Sequence, residues 1–280
     1  MNKMEVFKGS DKYVVTEELK NAVNVSIALQ KPLLIKGEPG TGKTMLAEAI
    51  ADALDMDLLI WGIKSTTKAQ EGLYIYDTVQ RLYDSQFGEG DVADIAQYIK
   101  LGKLGEAFAS DKQVVLLIDE IDKADLEFPN DLLWELDKME FYINETKETI
   151  KTKHRPIVII TSNAEKELPD AFLRRCIFHY IEFPTAEKME EIVKVHFGDI
   201  DETLCEKAME AFYEIREMRD VQKKPSTSEL LDWLQALIIS GVDAETIKDK
   251  IPYLGVLLKK NQDIDVVTDV KEKGYSLKRW

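Results

Sequence analysis

Through residue 185 the chain alternates two hydrophobic rhythms. Short apolar runs at residues 32–36, 58–62, 113–119, 156–161 and 177–183 predict strands. Three of them are continuous aliphatic or β-branched stretches, the pattern of strands covered on both faces. Helical spacing fills the intervals, so the expected fold class is α/β, with a five-stranded parallel sheet sandwiched between helices. Phe183-Pro184-Thr185 ends the last run, and the pattern then turns wholly helical. Residues 186–197, 203–219, 228–239 and 244–251 each predict an amphipathic helix. Ser226-Thr227-Ser228-Glu229 has the form of a capping box. The expected organisation is a nucleotide-binding core over residues 1–185 and a smaller all-helical domain over 186–280. The charged tail after Asn261 carries no clear periodicity.

Chemistry gathers at the carboxyl ends of three predicted strands, where open α/β sheets bind ligands. Residues 37–44 read GEPGTGKT between a strand and a helix, the context of a phosphate-binding loop. Gly37, Gly40 and Gly42 let the backbone curl and aim N–H groups at an anion, and the following helix adds its positive end. Lys43 can reach the β- and γ-phosphates, and Thr44 can hold a magnesium ion. The nucleotide-contacting set is thus Gly37, Glu38, Pro39, Gly40, Thr41, Gly42, Lys43, Thr44 and Met45. The run at 113–119 ends in Asp119-Glu120. Asp119 would complete the metal site, and Glu120 can accept a proton from an attacking water. That second acid separates the chain from small-molecule kinases. Val158-Ile159-Ile160-Thr161-Ser162-Asn163 brings an amide to a strand end, where it can align the water. Asn163-Ala164-Glu165-Lys166 does not fit the NKxD motif of guanine recognition, which favours ATP over GTP. Arg174 and Arg175 precede the last strand, and a guanidinium at a transferring phosphoryl group is worth roughly 10³–10⁵ in rate. Asp122 and Asp125 read as helix-starting residues.

Charge narrows the partners. With 52 acidic and 37 basic residues the net charge is −15, which argues against a broad grip on nucleic-acid phosphates. No apolar run approaches the ~20 residues needed to cross a bilayer, and the opening MNKMEVFKGSDKY lacks an apolar signal core. Cys176 and Cys205 form neither a disulfide framework nor a CxxC metal pair. His154, His179 and His196 are scattered and read as structural or surface residues. These features lead to the expectation of a cytoplasmic protein with a normal core.

The order of phosphate loop, IDE, TSN, LRR and helices resembles the AAA+ ATPases, and within them the MoxR-like, dynein-related type. The strings that carry it are KPLLIKGEPGTGKTMLAEAIA, VVLLIDEIDKAD, IVIITSN, DAFLRRCIF and KPSTSELLDWL. The resemblance implies Walker A at residues 37–44, Walker B at Asp119 and Glu120, sensor 1 at Asn163 and a trans-acting arginine finger at Arg175. It implies Mg-ATP hydrolysis, an αβα sandwich with a helical lid, and a hexameric homo-oligomeric ring. It further implies a chaperone-like role on a protein client, with a von Willebrand factor A domain protein as partner. Residues 141–153 fit an additional hairpin before sensor 1. The chain departs from the pattern twice. Arg174 replaces the acid usually before the finger, and no arginine stands at Pro225-Ser226-Thr227-Ser228, where relatives carry sensor 2; Lys223 or Lys224 is the nearest substitute. Tyr74, Tyr76 and the run 64–73 either face a pore or pack in the core, and residues 128–131 fall where subunits can meet. Two competing readings share the motifs: a nucleic-acid motor or restriction subunit, and an ATP-gated scaffold with little turnover.

Overall fold

A computed structural model describes residues 6–88, 91–198 and 200–272. The start of the N-terminal stretch and the last residues of the expected lid and tail lie outside that range. Two compact units emerge. Among the described residues, one lies within 1–10, 15–37 and 43–181 and the other within 11–14, 38–42 and 182–280.

The first unit is built on β1 (Leu33–Gly37), β2 (Leu58–Gly62), β5 (Val115–Asp119), β8 (Ile157–Ser162) and β9 (Ile177–Ile181). Their order is β2-β5-β8-β1-β9, and every pairing is parallel. The expected five-stranded parallel sheet is therefore present. β8 is buried at every position, and β5 at all but Asp119, which explains the apolar runs 157–160 and 115–118. Around the sheet lie α1 (Glu17–Leu29), α2 (Lys43–Leu54), α5 (Lys103–Ala109), α7 (Leu133–Lys138) and the short α3 (Ala69–Leu73), α6 (Phe128–Asp131) and α8 (Asp170–Leu173). α2 buries Leu46, Ala47, Ala49, Ile50 and Ala51, a small-residue face that lets the helix lie close to the strands.

Two antiparallel ribbons interrupt this plan. β3 (Tyr74–Tyr76) pairs with β4 (Ile99–Leu101), with α4 (Thr78–Phe87) between them. β6 (Glu140–Ile143) pairs with β7 (Glu148–Lys151), the hairpin anticipated at 141–153. Tyr74 resolves to the core. It is buried, stacks on Phe141 at 6.1 Å, and its hydroxyl accepts from the Asn144 N–H at 3.1 Å. Tyr76 is half-buried and accepts from Arg81 at 2.6 Å. Phe128 and Pro129 are buried within the chain, Phe128 against Trp61 at 5.5 Å, so these two are core residues and not exposed interface groups.

The second unit carries α9 (Ala186–Phe197), α10 (Glu202–Glu217), α11 (Thr227–Ser240), α12 (Ala244–Asp249), α13 (Leu254–Leu257) and α14 (Asn261–Glu272). α10 buries Leu204, Ala208, Met209, Ala211, Phe212 and Ile215 along one stripe. Trp233 is fully buried and donates to the Pro252 carbonyl at 2.7 Å. The anticipated capping box is formed: Ser226 caps α11, and Glu229 reaches back to the Ser226 N–H at 2.7 Å. α14 accounts for part of the tail the sequence left unassigned. Its Asp263 is fully buried and accepts from the backbone N–H groups of Gln222 and Lys223 at 2.9 and 3.0 Å.

Candidate active site

Within the first unit, β1, β5 and β8 lie side by side, so Gly37, Asp119 and Asn163 come together at one edge of the sheet. Thr44 on α2 donates its hydroxyl to Asp119, 3.2 and 3.3 Å from the two carboxylate oxygens. Lys43 is buried at 6% exposure, and its Nζ donates to the Gly37 carbonyl at 2.9 Å. A buried ammonium is retained only with compensating partners, and the Gly37 carbonyl is one of them here. Glu120 adopts φ 58°, ψ 51°, a left-handed conformation that is uncommon for a residue with a side chain. Such strain concentrates at functional positions. Here it turns the Glu120 carboxyl out of the strand path toward Asn163, whose Nδ2 donates to Oε1 at 2.9 Å. Lys123 forms a short ion pair with Oε2, and the bond to Glu120 raises the lysine's pKa.

Three residues to which the sequence assigns no role at the site brace this group. Thr161, fully buried, donates to Asp119 Oδ1 at 2.6 Å and accepts from the Glu120 N–H at 2.8 Å. A threonine next to the end of a buried strand was its available signal. Asp122 is buried and accepts from the N–H groups of Asn163 and Glu165 at 3.3 and 2.9 Å. It sits in a single 3₁₀ turn, Ile121–Lys123, and its work is to pin the Asn163 loop, not to start a helix. Lys123 is the third.

Thr44 and Asp119 offer hard oxygen ligands suited to magnesium. No group of three or more His, Cys, Asp or Glu side chains able to hold a metal occurs among the described residues. An ion here would complete its shell with phosphate oxygens and water, as magnesium commonly does, so the residues fit a nucleotide-borne metal.

The middle of the glycine-rich loop belongs to the second unit. Gly40 and Gly42 take φ +75° and +80°, as a nest of inward N–H groups requires. A Cβ on Gly40 would lie 2.6 Å from Ser226 Cβ, and one on Gly42 would lie 3.1 Å from the Tyr13 ring. Both positions are closed to larger residues. Thr41 is buried and donates to the Glu38 carbonyl at 2.9 Å, while Glu38, Pro39 and Met45 are exposed.

Arg175 is bonded to other residues than the Asp119 group. Its guanidinium donates to Asp137 at 2.7 Å and to the Ala171 carbonyl at 2.8 Å, and it is 41% exposed. Arg174 is exposed. Lys223 pairs with Glu229 at 3.5 Å. His179, on β9, has its pKa lowered by burial, and burial pushes the Cys176 thiol up to about 12. Neither group touches the site just described.

Residues 33–185 match the family described as ATPase family associated with various cellular activities. The chain belongs to the AAA family of ATPases. Among curated relatives, this AAA chain is 27% identical to pachytene checkpoint protein 2 of Saccharomyces cerevisiae, over 62% of its own length and 32% of the yeast protein. It is 28% identical to the Canis lupus familiaris homologue, over 69% of its length and 44% of that protein. The chain thus spans less than half the length of these relatives. The Thermotoga maritima RuvB Holliday junction branch migration motor superposes over 98% of the AAA chain and 87% of its own, with TM-score 0.54 and 14% identity. That likeness is one of fold. No helix among the described residues is long and apolar enough to cross a membrane.

Proposed function

We propose that this AAA chain hydrolyses Mg-ATP and uses the cycle to remodel a protein client. The observation that carries the reading is the placement of Asn163 on Glu120, 2.9 Å apart, beside the Thr44–Asp119 pair. ATP is the substrate, cradled by residues 37–45. Bound magnesium would neutralise charge on the transferring phosphoryl group, with Thr44 and Asp119 as its protein ligands. Glu120 orients a water and takes its proton, Asn163 fixes the carboxylate toward that water, and Lys43 holds the β- and γ-phosphates. Arg175 reaches the nucleotide of a neighbouring subunit in a hexameric ring. The core over 1–185 supplies chemistry and the helical lid over 186–280 answers to it.

The MoxR-like assignment is supported by the KPSTSELLDWL string at the start of α11 and by the β6–β7 hairpin ahead of Asn163. With it come a chaperone-like cytoplasmic role and a von Willebrand factor A domain partner. The acidic balance, −15 overall, weighs against nucleic acid as the client.

The test is calorimetry with Mg-ATP together with steady-state phosphate release. Glu120→Gln keeps ATP binding and lowers turnover by about 10²–10⁴, the usual worth of a positioned general base. Wild-type turnover in that variant would sink the water-activation role. Stimulation by DNA but not by protein clients would favour the nucleic-acid motor, and tight binding without turnover in the wild type would favour the scaffold.

A further inference from the structure

Among the described residues two cations are buried: Lys43, inside the glycine-rich loop, and Arg216, at the end of α10. Both serve the same loop. Arg216 donates from Nη2 to Glu38 Oε2 at 2.9 Å and from Nη1 to the Pro225 carbonyl at 2.5 Å. Its guanidinium lies 3.3 Å above the centre of the Phe183 ring, and Phe183 is itself stacked on Phe212 at 6.1 Å. Arg216 is 10% exposed in its side chain and Glu38 is 47% exposed. The arginine is therefore fixed on three sides, while the carboxylate it holds faces water.

Glu38 is an awkward residue for its position. It directly follows Gly37 and precedes Lys43 by five residues, so it puts a negative charge into a loop shaped to receive a triphosphate. A negative charge so close to the loop repels the anion that a nucleotide brings. A guanidinium is permanently charged and bonds a carboxylate in a fixed geometry. Burying one is costly and is tolerated when its partners are complete.

We infer that Arg216 neutralises Glu38 and so sets the affinity of the loop for nucleotide, acting as a positioning residue. This inference rests on the reading of residues 37–44 as a triphosphate-binding loop. It also explains why Pro225, just ahead of the α11 cap, is tied to the same guanidinium: the pair links loop charge to the start of α11 inside one unit.

The experiment is a double-mutant cycle on Glu38→Gln and Arg216→Met, with the Kd for Mg-ATP from calorimetry and the melting temperature of all four proteins. Arg216→Met alone removes the guanidinium charge beside Glu38 and weakens binding about tenfold, equivalent to about 1.4 kcal/mol. Glu38→Gln alone removes the repulsion, leaves the cation and tightens binding. The double variant returns to within about threefold of wild type, because both members of the charge pair are removed together. If Arg216→Met unfolds, Glu38→Gln restores its folding for the same reason. A double variant as weak or as unstable as Arg216→Met overturns the inference and leaves Arg216 as a scaffold for Phe183 and Pro225. A wild-type protein that binds no nucleotide would instead remove the loop reading, and this inference with it.

Discussion

Asn163 donates its Nδ2 to Glu120 Oε1 at 2.9 Å, while Lys123 takes the other oxygen of the same carboxylate. On the proposed function, with Glu120 as general base, the two contacts have opposite consequences. The neutral amide aims the carboxylate without taking its charge. The ammonium occupies the second carboxylate oxygen and competes with water for it. Asn163→Ala is expected to lower kcat at least tenfold with little change in KM, and Lys123→Ala is expected to raise basal kcat two- to fivefold. Steady-state phosphate release over a range of ATP concentrations measures both. A fall in kcat for Lys123→Ala would mean that the lysine holds Glu120 in its working position and does not restrain it.

Close packing in the first unit makes a sharper prediction for stability. A Cβ on Gly105 of α5 would lie 2.0 Å from the Leu73 carbonyl oxygen, a backbone atom that cannot swing away. Gly255 of α13 meets nothing within 4 Å. In a helix, alanine ordinarily improves on glycine by about 0.5–1 kcal/mol. Gly105→Ala is expected to reverse that sign and cost about 1–3 kcal/mol through overpacking, whereas Gly255→Ala is neutral or stabilising. Thermal denaturation followed by circular dichroism distinguishes the two. Equal melting temperatures would show that α5 shifts freely relative to Leu73.

The sheet was legible because each of its strands is an apolar run bounded by turn residues, and 58–62 is the same in sequence and structure. The loop, Asp119, Glu120 and Asn163 were legible because they follow those runs directly. What escaped notice depends on distance in the chain. Thr161 is two residues from Asn163 and looks like ordinary strand; its value comes from Asp119 and Glu120, forty-odd positions away. Arg216 reads as one more charge in the last turn of an amphipathic helix, and its partner Glu38 lies 178 residues earlier. Tyr74 gave two readings because an aromatic beside a strand suits a pore or a core, and Phe141 decides between them. α14 was missed because its charged surface hides the buried Asp263 and Val267.

Arg175 separates a chain that acts alone from one that acts in a ring. Its guanidinium is bonded to Asp137 and Ala171, whereas the Asp119 group is bonded through Thr44, Thr161, Glu120 and Asn163. On the proposed function this arginine, bonded within its own chain and 41% exposed, serves the nucleotide of a neighbouring subunit. Arg175→Ala is then expected to bind Mg-ATP with near wild-type affinity and to lose turnover by roughly 10³. Lys43→Ala is expected to lose nucleotide binding and keep its arginine intact. Mixed with Arg175→Ala, it donates that arginine to a subunit whose loop still binds ATP. Phosphate release by the mixture, at several ratios of the two inactive proteins, should therefore exceed the sum of the parts and pass through a maximum. A flat response at every ratio, together with full activity of a monomer on a sizing column, would place Arg175 in a structural pair with Asp137 and nowhere near a phosphate.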